Sequence, residues 1–206
     1  QIKKAIDPRN SVVHAGTIVA NALMHCGTTV DTFLRDNLEW LARATNWAKF
    51  TSVASMGVIH RGHNKEGRNV LSQYLPQDNG QPTQGGPYAE GGALYALGII
   101  NAARGQEVVK YLSDRVKGAG NNEVLQHGAC LGLGLAAMAT ANEQYYTDVR
   151  DVMFQDSAVA GESAGLAMGM IMVGSAKQEV IAEMLQYAHE TQHEKIIRGI
   201  SLGVAM

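Results

Sequence analysis

Five times in 206 residues, a small residue is followed by Leu or Met, then Gly, then two more small or aliphatic residues. The phrase reads Ser55-Met56-Gly57-Val58-Ile59, Ala96-Leu97-Gly98-Ile99-Ile100, Gly132-Leu133-Gly134-Leu135-Ala136, Ala167-Met168-Gly169-Met170-Ile171 and Ser201-Leu202-Gly203-Val204-Ala205, with the glycines at intervals of 41, 36, 35 and 34 residues. Gly is roughly a tenth of the chain, so five glycines at one preset position would arise by chance on the order of once in 10⁵, before correction for choosing the frame. A period of this length marks stacked repeats, in which no copy buries its apolar face alone and stacking builds one continuous core. A chain made of copies works through its surface, whereas an active site has to be built once.

An interior glycine costs a helix about 1 kcal/mol relative to Ala, a cost that tight packing against a neighbouring helix can offset. The pairs Gly128/Gly132, Gly165/Gly169 and Gly199/Gly203 each put two small residues on one helix face. The five phrases therefore read as buried inner helices, with Gly57, Gly98, Gly134, Gly169 and Gly203 as their structural repeat positions. Between them, Thr29 to Ala44, Asn64 to Leu75, Gly105 to Lys117, Glu143 to Phe154 and Lys177 to Glu190 are polar-faced. Val108, Val109, Leu112 and Val116, and likewise Val180, Ile181, Met184, Leu185 and Ala188, recur at three- and four-residue steps with charges between them, the mark of an outer amphipathic helix. Short turns carrying Gly62, Gly105, Asn142 and Gly174 join the layers. No strand-like alternation of useful length occurs.

The expected fold is all-α, an αα-hairpin solenoid forming a single repeat domain over residues 1–206, with about five repeats and incomplete terminal ones. Its irregular connector, Tyr74 to Glu90, holds Pro76, Pro82 and Pro87, accounts for the 41-residue interval and reads as a mobile surface loop.

Composition narrows the partners. The chain is 46% apolar and 17% charged with a net charge of −2, and no stretch concentrates Lys and Arg, so neither nucleic acid nor an anionic membrane surface is an expected partner. The most apolar runs, Gly128 to Ala141 and Gly161 to Ala176, are too short to span a bilayer, which needs about 20 apolar residues, and the second carries Glu162. Cys26 and Cys130 both read as reduced, packed thiols in apolar helices of an intracellular protein. The chain starts at Gln1 and stops at Met206 within its fifth phrase, which reads as a piece of a longer array. Two apolar end faces would then be exposed, and the isolated piece is expected to self-associate or to exchange terminal helices.

Two motifs raise catalytic readings. His189-Glu190-Thr191-Gln192-His193 matches H-E-x-x-H, in which two His one helical turn apart bind zinc and the Glu acts as general base. The motif falls at the end of an outer helix, and no His, Cys or Asp follows His193, so a third ligand would have to be Glu194 or come from elsewhere. Gly161-Glu162-Ser163-Ala164-Gly165 matches G-x-S-x-G, the strand-turn-helix elbow of serine hydrolases. No strand precedes it, and on the repeat frame Ser163 takes the slot of Thr51, Gly92 and Gly128, sharing their smallness and not a hydroxyl with all of them. No catalytic residue, metal or cofactor is therefore expected. His14, His25, His60, His63 and His127 lie in different repeats without ligand-like spacing, and Trp40 and Trp47 read as core residues.

The inner helices at this spacing resemble proteasome/cyclosome repeats. The stretches Phe33 to Phe50, Gly92 to Gly98, His127 to Met138 and Glu190 to Gly199 are similar to the large non-ATPase scaffolds of the 26S proteasome regulatory particle. That resemblance implies a closed or nearly closed α-toroid of two concentric helix rings, of which this chain would form about half. It also implies a non-catalytic scaffold in the base of the particle that supports ubiquitin-dependent degradation. Its implied partners are proteasome ATPase and lid subunits, ubiquitin receptors and ubiquitin itself, and its implied location is cytoplasm and nucleus. The scaffold of the cyclosome ubiquitin ligase and the second large proteasome scaffold are the family alternatives; a helical zinc metalloprotease through His189 and His193 is the alternative of another class. Exposed contact positions are expected on outer helices, at Lys110, Asp114, Arg115 and Glu183, and in the Pro-containing loop.

Overall fold

The computed structural model describes residues 2–5, 11–77, 83 and 85–206. Every regular element among them is an α-helix. In chain order these are α1 (Ile2–Ala5), α2 (Ser11–Met24), α3 (Thr32–Arg35), α4 (Leu38–Leu41), α5 (Asn46–Ile59), α6 (Asn64–Leu71), α7 (Gly86–Ile100), α8 (Val109–Gly118), α9 (Glu123–Ala136), α10 (Glu143–Met153), α11 (Ala158–Met172), α12 (Gln178–Glu190) and α13 (Glu194–Val204). They group into two compact units, residues 1–100 and 101–206.

Each unit has its own row of inner helices, α2, α5 and α7 in the first and α9, α11 and α13 in the second, each packed on the next. The outer helices pack on these rows, and α10 meets α11, which follows it, far more extensively than α9, which precedes it. Sequence explains the boundaries. Asn122, Asn142 and Ser157 each precede a helix and accept the backbone N–H three residues on, that of Leu125, Tyr145 and Ala160. Such N-caps satisfy amides that the helix itself leaves without partners.

The cores differ in character. In the first unit, Ile18, Ala22, Leu34, Trp40 and Ile59 form one buried cluster with Phe33 and Met56 against it, and the Trp40 ring lies 4.0 Å from that of His14. In the second, Cys130, Leu133, Met153, Ala164, Met168, Ile171, Met184 and Ile196 are all but fully buried. Val108, Val109, Leu112 and Val116 are buried too, so the amphipathic stripe of α8 faces inward.

Several sequence expectations need correction. The stretch from Thr29 to Ala44 holds two one-turn helices, broken where Asn37, at the N-cap position of α4, turns its Nδ2 back to donate to Phe33 O at 2.6 Å. The connector is shorter than expected: α7 begins at Gly86, with Pro87 in its first turn, where no intrahelical N–H is needed. Pro82 lies outside the described residues, as do the other loop positions 78–81 and 84. Cys26 falls past the end of α2 and is exposed; Cys130 is buried. Trp40 is in the core, whereas Trp47 is 40% exposed, at the rim of an aromatic group with Phe50 and Tyr88. Leu185 is also exposed, so the apolar stripe on α12 is narrower than its spacing suggests. One inner helix went unmarked in the sequence: α2 packs on α5 like its later counterparts but carries Ala22, two residues before its end, where α5 has Gly57.

Candidate interaction surface

The joints between repeats are built from small residues first. A Cβ added at Gly57 would lie 2.6 Å from Ala96 Cα, and one at Gly134 would lie 2.8 Å from Ala167 Cα; one at Gly169 would overlap Gly203 Cα. From the other side, a Cβ at Gly92 would lie 2.5 Å from Phe50 O. Real Cβ atoms do not approach so closely, so these helix backbones touch only because no side chain intervenes.

Counting from the caps fixes the register. Gly57, Gly134 and Gly169 each lie twelve residues past their N-caps, Thr45, Asn122 and Ser157. Twelve past His193, the N-cap of α13, is Ala205 and not Gly203. Gly203 instead sits ten past its cap, as Ala167 does, and receives Gly169 as Ala167 receives Gly134. The fifth glycine phrase is thus a match in letters, two residues out of structural register.

A backbone ladder reinforces the joints. After α2, α5, α7 and α9 the chain turns through left-handed φ, at Gly27 and Thr29, Gly62, Ala103, and Ala139 and Ala141 respectively. From these turns Gly27 and Thr29 donate to Val58 O and Ile59 O, Gly62 to Ile100 O, Ala103 and Gly105 to Leu135 O and Ala136 O, and Ala139 and Ala141 to Met170 O and Ile171 O, all at 2.9–3.2 Å. The last carbonyls of a helix have no intrahelical partner; here the turn of the preceding repeat supplies it.

Side chains add a third layer. Asp148, almost fully buried on α10, accepts from Ser113 Oγ at 2.6 Å and Gln144 Nε2 at 2.8 Å, with Lys117 Nζ of α8 at 3.1 Å. Glu183 of α12 takes the Tyr146 hydroxyl and Arg150 of α10, so it is a joint residue and not the open contact position expected of it. Burial, together with the Glu183 carboxylate, pushes the Tyr146 phenol far above its ordinary range. Lys177 pairs with Glu143 at 2.7 Å, and Arg198 pairs with Glu162. Asp156 accepts from Thr191 Oγ1 at 2.8 Å and from the Tyr187 hydroxyl at 3.0 Å.

The catalytic motifs take their places in this fabric. Helix α12 ends at Glu190, Thr191 is extended, and His193 caps the next helix, so His189 and His193 do not share the helical turn that H-E-x-x-H chemistry requires. His193 Nε2 lies 3.6 Å from Asp156 Oδ2 instead. Among the described residues, no three His, Cys, Asp or Glu are grouped to hold a metal ion. Ser163 is buried mid-helix in α11, donates to Ala160 O at 2.7 Å and also contacts the Cys130 thiol, which burial pushes up to about 12. No helix among the described residues is long and apolar enough to cross a membrane.

The outer surface is what remains for other molecules. Lys110 and Asp114 are exposed on α8, while Arg115 is half-buried over the Tyr111 ring at 4.8 Å. Phe154, 47% exposed at the end of α10, packs beside Tyr187 and under Arg150, a grouping the sequence did not signal. In the first unit a cleft of about 820 Å³ opens among α3, α4, α5 and α6, lined by Leu34, Leu38, Met56, Val70 and Tyr74.

The proteasome/cyclosome repeat matches residues 51–83 and 163–197. Both segments begin six residues past an inner-helix cap, at Thr51 and Ser163, so the matched unit coincides with the structural one. Among curated proteins, the chain is 59% identical over its whole length to the 26S proteasome non-ATPase regulatory subunit 1 homolog A of Arabidopsis thaliana, covering 20% of that protein. It is 54% identical over 96% of its length to the 26S proteasome non-ATPase regulatory subunit 1 of Drosophila melanogaster, covering 19%. With the subunit of that name in Caenorhabditis elegans it shares 45% identity over its whole length, covering 21%. The chain carries proteasome/cyclosome repeats. It spans about a fifth of the length of these relatives. The relatives matched along this chain are regulatory subunits by name.

Proposed function

We propose that this chain is a scaffold segment of a 26S proteasome regulatory particle, without catalytic activity of its own. The observation that carries the reading is the identity of 45–59% along the chain to proteins named as non-ATPase regulatory subunits of that particle. The structure supports it through the use to which charged and polar side chains are put: Asp148, Glu183, Asp156, Glu162 and Glu143 all face groups of an adjacent repeat. Such joints hold outer helices and turns at fixed positions. ATPase and lid subunits, ubiquitin receptors and ubiquitin are the partners proposed to assemble on those surfaces, in cytoplasm and nucleus, with Lys110, Asp114, Arg115 and Phe154 as candidate contacts.

The test is affinity capture of the full-length protein from cell extract, with mass spectrometry of what accompanies it and a parallel zinc assay. Recovery of proteasome ATPases and lid subunits is expected. Recovery of cyclosome subunits in their place, or stoichiometric zinc with a peptidase activity lost on replacing His189 or His193, would contradict the reading.

A further inference from the structure

The joint between α10 and α12 holds an aromatic that the repeat does not ask for. Phe154 lies twelve residues past Asn142, the N-cap of α10, whereas twelve past Lys177, the N-cap of α12, the chain carries His189. The Phe154 ring is 47% exposed and held from two sides, by the Tyr187 ring at 5.0 Å and the Arg150 guanidinium at 5.7 Å. Tyr187 is fixed in turn, its hydroxyl donating to Met153 O and Asp156 Oδ1, both at 3.0 Å. A large apolar ring is thus kept at the surface in one position, and little side-chain entropy is left to lose when something covers it. Aromatic and Arg side chains in such settings carry much of the energy where proteins meet.

Phe154 stands one helical turn beyond Arg150, and Arg150 also lines a groove of about 590 Å³ between α10 and α12. Met172 and Val180 give the groove an apolar wall, beside Tyr146, Glu179 and Glu183. Charge around the groove and the ring is one-sided. Glu143, Asp151, Asp156, Glu179 and Glu183 supply carboxylates, against the two cations Arg150 and Lys177. Both cations are already paired, Arg150 with Glu183 and Asp151 and Lys177 with Glu143, so they are committed before an acidic ligand could use them. Both walls of the groove are present in the chain, since Tyr146 and Arg150 of α10 reach Glu183 of α12 across it.

We propose that this groove docks a basic segment of another protein, with an apolar side chain of the segment packed on Phe154 and its Lys or Arg side chains among the surrounding carboxylates. Complementary charge steers the approach and selects against acidic segments; the ring supplies the apolar area that holds what arrives. The inference rests on the scaffold reading of the outer helices as docking surfaces, and goes beyond it by naming the chemistry of what docks at this one.

Fluorescence anisotropy at physiological salt tests it, with the chain and a short labelled peptide of Lys, Ala and two Leu, compared with the same peptide carrying Glu for every Lys. The Lys peptide should bind, and the Glu peptide should bind at least about tenfold more weakly. Phe154→Ala should weaken the Lys peptide about tenfold, and Phe154→Trp should retain it. Asp151→Lys should weaken it several-fold, while Glu107→Lys, the same charge change on the exposed turn before α8, should not. Circular dichroism checks that each variant stays helical; Asp151 and Glu107 are both exposed, so these two variants keep the test open if Phe154→Ala disturbs the fold. No binding of the Lys peptide, equal binding of the two peptides, undiminished binding by Phe154→Ala, or a Glu107→Lys loss as large as that of Asp151→Lys would overturn the docking site. None of these results depends on which proteins accompany the full-length protein from cell extract, so failure of the site and failure of the scaffold reading are read separately.

Discussion

A side chain on Gly169 would run into the backbone of Gly203 on the neighbouring inner helix. Replacing Gly169 by Ala gains about 1 kcal/mol of helix propensity but has to force two backbones apart. Overpacking of a tight core costs roughly 1–3 kcal/mol and more where backbone must move, so Gly169→Ala should lower stability by about 2 kcal/mol net. Gly118, where a Cβ meets nothing within 4 Å, is the control, and Gly118→Ala should leave stability unchanged or slightly higher. Urea denaturation followed by circular dichroism compares the two.

Asp148 is the most heavily engaged side chain among the joints described. Asp148→Ala leaves the buried Ser113 hydroxyl without its acceptor and the half-exposed Lys117 ammonium without its partner. Loss of a buried charge-assisted partner costs roughly 3 kcal/mol. Asp148→Asn keeps an acceptor and should cost about half as much. Equal losses for the two variants would show that the charge at this joint contributes nothing.

Ala139 adopts a φ of +60° and donates its N–H to Met170 O at 3.0 Å. The left-handed conformation costs a non-glycine residue about 1–2 kcal/mol, partly offset by the lower entropy of unfolded Ala relative to Gly. Ala139→Gly should therefore stabilise the chain by about 0.5 kcal/mol. Ala139→Pro removes the donor and cannot take that φ, and should destabilise it by roughly 3 kcal/mol or more. Thermal melting of both variants gives the signs.

The two thiols should differ sharply. Cys26 is exposed, while burial pushes Cys130 up to about 12. At pH 8 the native chain should give one fast thiol with Ellman's reagent and a second only on unfolding, since a thiolate fraction on the order of 10⁻⁴ leaves Cys130 inert. The same shift sets an alkaline limit. Cys130 rises from 9.0, and Tyr187, through burial and its bond to Asp156, rises from 10.0 to about 12. Groups raised on folding stabilise fully below their unfolded values and lose that contribution as pH climbs toward the folded ones. Stability should fall between about pH 9 and 12, and Cys130→Ala should flatten the lower part of that fall. A stability unchanged up to pH 12 would contradict the burial argument.

The repeat period located five of the six inner helices, and at Gly57, Gly134 and Gly169 it marked the joints themselves, because a close backbone approach demands a missing side chain, and a missing side chain is visible in letters. Helix α2 escaped because Ala22 is small enough for its joint; the requirement is size, and glycine is only its commonest solution. Gly203 misled for the converse reason: the phrase was present, but the register runs from the caps Asn122, Ser157 and His193, whose spacing of 35 and 36 places Ala205 in the slot. Amphipathic spacing on α12 showed which face of the helix is wet, not what faces it, so Glu183 looked free when Tyr146 and Arg150 hold it. Trp47 reads as core in the sequence yet sits 40% exposed at the rim of its aromatic group, and Phe154 gave no signal, since an exposed aromatic interrupts no period.

Hydrogen exchange at the turn amides tests the cohesion of the repeats most directly. If the joints rest on turns that cap the next helix, the N–H groups of Ala103, Gly105, Ala139 and Ala141 should exchange as slowly as those in the middle of α9 and α11, because they open only when the repeats separate. Exchange at the rate of open surface turns, with α9 and α11 still protected, would show that the ladder does not hold the repeats together.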